Sequence, residues 1–354
     1  MWVCMEFIRD FIDRYYRGHR DRIFRKTEDD PEVAHEQFVK LACRIHSFRL
    51  ERLLLNCSEN QLKPRFEISN AAGFNKNGTI PPQFLHYLGL DRVVVGTVTY
   101  DAYPGEPRPR IKRYPNTNSM VNWMKLPGIG ARAVADAINE HGNHGVPVTI
   151  NLMATPGKKG DEMLSDLDET IKATRDLPHV DRYELNISCP NTHTSGNATD
   201  ARNGYQQNLS AMLNVVEQAI KINQDIYVKV SPDMLFEDVK TIIHVSCAYS
   251  VAGFTTANST TEHKPLYITS PPNQEGKGGA TGAAVYSKSR LIQERFDKEL
   301  DSYRDYNAHL IACGGIDSPD KARARTDSNR VIGIQVFTPL IMKGPGLIRE
   351  LRAA

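Results

Sequence analysis

The segment from Tyr183 to Thr192 sets a cysteine, Cys189, between two asparagines, Asn186 and Asn191, where an apolar strand-like run gives way to a loop. A thiolate at such a point can take a proton, and the carboxamides on either side can hold a polar substrate with paired donors and acceptors. An isolated cysteine before a proline is also an ordinary packing residue of a strand-to-loop turn. Its meaning therefore depends on what else the chain delivers to the same place. Two lysines stand in comparable settings, Lys76 shortly after Ala72 and Gly73, and Lys229 near the end of the run Ile226 to Val230. The sequence offers no His/Asp/Glu cluster at metal-ligand spacing and no pair of strand-end carboxylates, which argues against metal-assisted and glycoside hydrolysis.

Short apolar runs must position these residues. Candidate strands extend from Phe66 to Ala72, Arg92 to Gly96, Val148 to Leu152, Tyr183 to Ile187, Ile226 to Val230, Gly253 to Ala257, His309 to Cys313 and Val331 to Phe337. Helix-length stretches such as Asp161 to Arg175 and Gln207 to Ile222 separate them. Apolar strands alternating with helices imply parallel pairing through crossover helices. Eight such units predict an α/β fold, a TIM (β/α)8 barrel over residues 61–354, with a helical segment over residues 1–60.

In that architecture the chemistry gathers at the C-terminal ends of the strands. Those ends carry, in order, Ala72 with Gly73 and Lys76, then Thr97, Asn151, Asn186 with Cys189, Lys229, Asn258 with Ser259, Gly314 with Gly315, and Thr338. Singly, each has a structural explanation, since Asn and Thr cap helices and paired glycines make turns. Their convergence on one face does not. Gly314 and Gly315, with the start of the next helix and the turn after the last strand, offer backbone N–H groups of the kind that hold a phosphate. The run Gly276 to Gly282 reads as a second glycine-rich loop, and it fits neither the dinucleotide fingerprint nor a Walker A pattern. Lys76 and Lys229 in the mouth suit a flavin, whose ring becomes anionic near N1 when reduced.

The N-terminal segment has a different texture. Trp2, Met5, Ile8, Phe11, Ile12 and Tyr15 recur at helical spacing, opposite Arg9, Asp10, Arg14 and Arg17. Asp29, Asp30 and Pro31 open a second helix in which Val33, Phe38, Leu41 and Ile45 carry the apolar pattern. Composition sets the outer bounds: 354 residues, 40% hydrophobic and 24% charged, describe a globular chain. A net charge of +2 provides no broad positive field and no nucleic-acid partner. Cys4, Cys43, Cys57, Cys189, Cys247 and Cys313 show no C-x-x-C or metal spacing, which fits reduced thiols in a cytoplasmic setting. The sequons at Asn77 and Asn258 fall among the candidate site residues and read as accidents of composition. No apolar run approaches the roughly 20 residues of a membrane span.

In order and spacing these motifs resemble the FMN-dependent dihydroorotate dehydrogenases of pyrimidine biosynthesis. The likeness runs from Asp30-Pro31-Glu32 and His35 through Ala71 to Gly78, Gly96 to Thr99, Pro109-Arg110, Asn122, Asn186 to Thr192, Val228-Lys229, Asn258 to Thr261 and Gly314 to Asp317, and ends at Lys343-Gly344-Pro345. The resemblance implies FMN contacts at Ala72, Gly73, Lys76, Thr97, Asn151, Asn186, Lys229, Gly282, Gly314, Gly315, Phe337 and Thr338. For dihydroorotate and orotate it implies Lys76, Asn122, Met124, Leu126, Asn186, Asn191, Asn258 and Ser259. Cys189 matches the general base, which removes the C5 proton while hydride leaves C6 for flavin N5; a thiol near its ordinary ~8.5 needs a lowered pKa or a relay for this.

Two patterns of that family meet in one chain. The membrane-associated, quinone-using class has the N-terminal helical extension and the lysine matching Lys76, with serine where Cys189 stands, whereas the soluble class has the cysteine and Leu126-Pro127 but no extension. Arg113 matches an arginine on the quinone side. The resemblance thus implies dihydroorotate oxidation with a quinone acceptor, fumarate or NAD being alternatives, and peripheral membrane contact through the first helix on the cytoplasmic side. The arginines at 17, 20, 22 and 25 make that segment wetter than a quinone mouth would suggest. Lys125 replaces a family glycine beside the expected substrate carboxylate, which leaves another dihydropyrimidine or cyclic enamide open as substrate. A Schiff-base aldolase using Lys229 and a non-catalytic nucleotide-binding barrel are the remaining alternatives.

Overall fold

The computed structural model describes residues 2–47, 65–143, 145–188, 198–263 and 278–354. Its strands are β1 (Glu67–Asn70), β2 (Val93–Val98), β3 (Ile111–Tyr114), β4 (Ser119–Asn122), β5 (Val148–Leu152), β6 (Val180–Asn186), β7 (Asp225–Val230), β8 (Val251–Thr256), β9 (Gly279–Gly282), β10 (His309–Cys313) and β11 (Val331–Val336). Eight of them form one parallel sheet in the order β1-β11-β10-β8-β7-β6-β5-β2, and these are the strands anticipated from the apolar runs. Every residue of β2 and β5 is buried, as expected of strands covered on both faces. Each Val, Ile or Leu side chain so placed contributes about 1.5–3 kcal/mol.

The two ends of that order meet to close the barrel. Ser69 bridges Arg92 and Asn75 bridges Val95, both in parallel. Between them the Asn70 side chain stands in for the missing ladder: its Nδ2 donates to Val94 O at 2.7 Å and its Oδ1 accepts from Val94 N at 3.1 Å. At the opposite end of the barrel the buried Arg92 joins Glu67 of β1 and Asp181 of β6. Charge pairing there binds the strand starts and leaves the other face for chemistry.

A second, three-stranded antiparallel sheet, β3-β4-β9, lies over the barrel mouth. It was not foreseen, because its strands are four residues long and β9 is the sequence Gly-Ala-Thr-Gly. The glycine-rich run is therefore a strand from Gly279 onward rather than a loop, while its first residues, 276 and 277, lie outside the described set.

Two helices precede the barrel, α1 (Trp2–Lys26) and α2 (Pro31–Ser47). Asp30 Oδ1 accepts from Glu32 N at 3.2 Å, capping α2 where Pro31 takes the first turn. Phe38 packs edge-on against Phe74 and Phe84, with ring centroids 5.7 and 5.8 Å apart. The face of α2 turned to the barrel is Phe38, Ala42 and Ile45, so Leu41, expected on the apolar stripe, is 52% exposed. In α1 the inward position is Tyr16 rather than Tyr15, which is 55% exposed and stacks on His19. The side chains of Trp2, Met5, Ile8, Phe11 and Ile12 lie outside the described residues. Polar bonds seat α1 on the C-terminal end of the chain: Tyr16 Oη donates to Ile341 O at 2.5 Å, Arg20 Nη1 to Met342 O at 2.8 Å, and Gly346 N to the buried Asp13 Oδ1 at 2.9 Å.

Candidate active site

A buried carboxylate organises the floor of the site. Glu184 of β6 accepts from Asn151 Nδ2 of β5 at 2.6 Å, from Thr255 Oγ1 of β8 at 2.5 Å and from Gln335 Nε2 of β11 at 2.7 Å. Lys229 Nζ of β7 lies 3.6 Å from Glu184 Oε1 and donates to Gln335 Oε1 at 3.1 Å. Burial alone would push the Lys229 pKa down, but the Glu184 carboxylate outweighs it and holds the ammonium above its usual range. A lysine kept charged in this way is a poor Schiff-base nucleophile, which removes the structural support for the aldolase alternative. Neither Glu184 nor Gln335 was singled out from sequence. The available signal was a polar residue inside an otherwise buried strand, at Tyr183-Glu184-Leu185 and Ile334-Gln335-Val336.

From this floor a line of polar side chains crosses to the site wall. Thr97 Oγ1 donates to Asn151 Oδ1 at 2.5 Å, Asn186 Nδ2 donates to Thr97 Oγ1 at 3.2 Å, and Ser188 Oγ donates to Asn186 Oδ1 at 2.6 Å. Asn258 Nδ2 reaches Ser188 Oγ at 2.7 Å. Two candidate substrate amides, from β6 and from the turn after β8, are thus joined through Ser188, the residue before Cys189. Cys189 itself and Asn191 lie outside the described residues. The turn carrying Asn258 and Ser259 is held from below by Asp233, which accepts from Thr260 Oγ1 at 2.5 Å, Thr261 N at 2.7 Å and Lys288 Nζ at 2.8 Å. Burial would raise the Asp233 pKa, yet Lys288 and the threonine donors hold it below the usual carboxylate range.

These residues border a cavity of about 590 Å³ at the C-terminal ends of the barrel strands, within the size range of ligand sites. Ala72, Gly73, Lys76, Thr97, Asn122, Met124, Leu126, Asn186, Lys229, Asn258, Ser259, Gly282, Gly314, Gly315, Phe337 and Thr338 all line it. Asn151 stands just below, bonded to Thr97. Lys76 is buried, and among the described residues it makes no ion pair, its nearest polar partner being Met124 Sδ at 3.8 Å. Burial, with the like charge of Arg110, brings its pKa down to about 8 against the opposing pull of Glu32. A cation so placed is stabilised by an anionic ligand in the cavity.

At the other end, Gly282 and Gly315 approach so closely that a Cβ on Gly315 would stand 2.6 Å from Gly282 O. Both have positive φ, and the resulting cradle has room for backbone against ligand but none for a side chain. Lys125, expected beside a substrate carboxylate, is instead paired with Glu106 at the cavity rim and exposed. The pairing raises its pKa through the Glu106 hydrogen bond and charge. Its backbone has φ of 55°, which turns the side chain away from the position a glycine would leave open.

A sequence model of the dihydroorotate dehydrogenase family matches residues 55–352. The chain belongs to the dihydroorotate dehydrogenase family. Among curated relatives, the dihydroorotate dehydrogenase (quinone) of Nostoc punctiforme is 28% identical over 366 residues, covering 96% of this chain and 93% of the relative. That of Acidithiobacillus ferrooxidans is 31% identical over 292 residues, covering 79% and 76%. The crystal structure of the dihydroorotate dehydrogenase of Eimeria tenella in complex with ferulenol superposes with a TM-score of 0.73 at 20% identity, covering 95% of this chain and 93% of that one, a likeness of fold.

In this dihydroorotate dehydrogenase Arg113 does not reach the cavity. It lies on the α1 side of β3, where Nη2 donates to Thr27 O at 2.6 Å and to Thr27 Oγ1 at 2.8 Å, and its guanidinium covers the Phe24 ring at 4.2 Å. Between it and the cavity is an apolar patch of Phe24, Met120, Phe337, Ile341 and Met342, of which Met120 and Phe337 also line the cavity. Arg110, conspicuous in the sequence only beside Pro109, ties α2 to the mouth through a two-pronged pair with Glu32 at 2.8 and 3.1 Å. No helix among the described residues is long and apolar enough to cross a membrane.

Proposed function

We propose that this chain oxidises dihydroorotate to orotate with FMN as its bound cofactor and a quinone as electron acceptor. The observation that carries the reading is Lys76, a buried cation with no ion-pair partner among the described residues, standing in a cavity whose opposite end is a side-chain-free glycine cradle. That arrangement asks for a ligand with a planar body and an anionic tail. Gly282, Gly314, Gly315 and Thr338 would hold the phosphate of FMN, and Thr97, Asn151 and Lys229 would line its ring, Lys229 supplying the positive charge that suits a ring becoming anionic near N1. Bound FMN supplies the hydride-accepting chemistry.

The chain's own residues would do the rest. Asn122, Asn186 and Asn258 present amides to the pyrimidine ring, with Asn191 and Ser259 beside them; Lys76, Met124 and Leu126 close over the carboxylate end. Cys189, delivered by the anchored Ser188, takes the C5 proton. Lys125 leaves that carboxylate end accessible by pairing with Glu106, which favours dihydroorotate over the other dihydropyrimidines. The apolar patch under α1 supports quinone over fumarate or NAD as acceptor, with residues 1–60 serving as a cap on the 61–354 barrel and α1 making peripheral membrane contact. An anaerobic visible spectrum of the purified protein tests the reading directly: L-dihydroorotate bleaches the bound flavin. A yellow protein that does not bleach would overturn the substrate assignment.

A further inference from the structure

Arg325 ends the helix Pro319–Arg325 after β10, and its side chain is fully buried. Among the described residues no carboxylate pairs with it. Its Nε donates to Gln293 Oε1 at 2.7 Å, Nη1 to Ser289 Oγ at 2.8 Å, and Nη2 to Thr256 O at 2.7 Å, while Cys313 O and Gly314 O lie at 3.4 and 3.5 Å. Burying a guanidinium without a counter-charge is expensive, and burial brings its pKa down to about 10. A neutral side chain of similar volume would fill the space at lower cost.

The identity of the carbonyls supplies the reason for a charge. Cys313 O and Gly314 O belong to the peptide units that carry the N–H groups of Gly314 and Gly315. In a trans peptide, C=O and N–H point to opposite sides. A cation drawing both carbonyls outward therefore turns both N–H groups toward the cavity side, and polarises them as donors. Gly315 N–H has no acceptor among the described residues. Ser289 reinforces the arrangement, its Oγ donating to Gly314 O at 3.0 Å, and a Cβ on Gly314 would stand 2.8 Å from that oxygen.

We propose that Arg325 is a positioning residue for the flavin phosphate, acting without contact through the Cys313–Gly314 and Gly314–Gly315 peptide units. The inference rests on the FMN reading above. Full-length protein with Arg325→Met, Arg325→Gln and Arg325→Lys is loaded with FMN or with riboflavin, which lacks the phosphate, and flavin dissociation constants are read from fluorescence. The Met and Gln variants lose at least about tenfold of the FMN-over-riboflavin preference, the scale of one charge-assisted hydrogen bond, while Lys keeps most of it. If Arg325→Met does not fold, Arg325→Gln gives the same reading with its volume and part of its hydrogen bonding retained. Equal weakening of both flavins, or no change in either, overturns the inference and leaves Arg325 as a packing residue. A wild-type protein that binds neither flavin, or does not prefer FMN, overturns the cofactor reading with it.

Discussion

Glu184 of β6 and Gln335 of β11 meet across the barrel interior, Gln335 Nε2 donating to Glu184 Oε2 at 2.7 Å. The two strands are not neighbours in the sheet order, so this bond spans the core rather than following its wall. Lys229 bonds to the same glutamine, so one carboxylate, one amide and one ammonium set the electrostatics of the site floor together.

Glu184→Gln leaves Lys229 charged and buried without its partner, at a cost of about 3–5 kcal/mol at neutral pH. The unpaired lysine then has a depressed folded-state pKa, so the unfolded chain binds more protons and the variant regains stability as pH rises. Urea midpoints measured at increasing pH check both the size and the sign; a midpoint that does not move at neutral pH would contradict the central role given to Glu184.

Lys76 sets a pH limit on anion binding. Its pKa of about 8 means that it is protonated below that value and loses its charge as pH rises through it. The dissociation constant for dihydroorotate should therefore climb above about pH 8, by up to about tenfold per unit. Spectral titrations across this range read the slope, and Lys76→Met should bind weakly with the slope gone.

Gly315→Ala forces a Cβ to within 2.6 Å of Gly282 O at a φ of 72°, and should purify with much less flavin than the wild type. Gly142→Ala provides the control, with a φ of 66° and nothing within 4 Å of the added atom. It should show only the conformational cost of about 1–2 kcal/mol and full flavin content. The ratio of visible to ultraviolet absorbance separates them.

Asp13→Ala removes the buried acceptor of Gly346 N and should weaken the seat of α1 by about 1–3 kcal/mol. Proteolysis between α1 and α2 should accelerate. Flavin bleaching by dihydroorotate should be unchanged while quinone reduction slows, a split that stopped-flow measurement of the two half-reactions would show.

Cys189→Ala should slow flavin reduction by about 10²–10⁴-fold, the range for a positioned general base, and Cys189→Ser should retain more activity with its pH profile moved upward. Equal rates in all three proteins would remove Cys189 from the proton step.

Much of this was legible in the sequence. The barrel strands announce themselves because parallel strands buried on both faces must be apolar throughout, and the site residues follow because strand ends in such a barrel share one rim. What escaped depends on long-range geometry. Strand β9 is visible only through the partner that fills out its glycines, and Tyr16 replaces Tyr15 on the inner face of α1 because the docking surface, formed more than 300 residues later in the chain, sets the rotation of the helix. Glu184 could have been flagged as a charge in a buried run, but its partners on other strands could not. The orientation of Lys125 toward Glu106 turns on a local φ that residue type does not dictate.

The way the barrel closes also bears on its synthesis. β1 finds its ladder only in β11, and α1 finds its seat only on Ile341, Met342 and Gly346, so the earliest-made elements wait for the last-made ones. A ribosome-bound chain lacking its final segment would hold β2 through β10 with β1 and both N-terminal helices unplaced. Contacts of such sequence separation slow folding. Loss of a short C-terminal piece would therefore unseat the front of the protein, making the two termini a single lock that only a finished chain can turn.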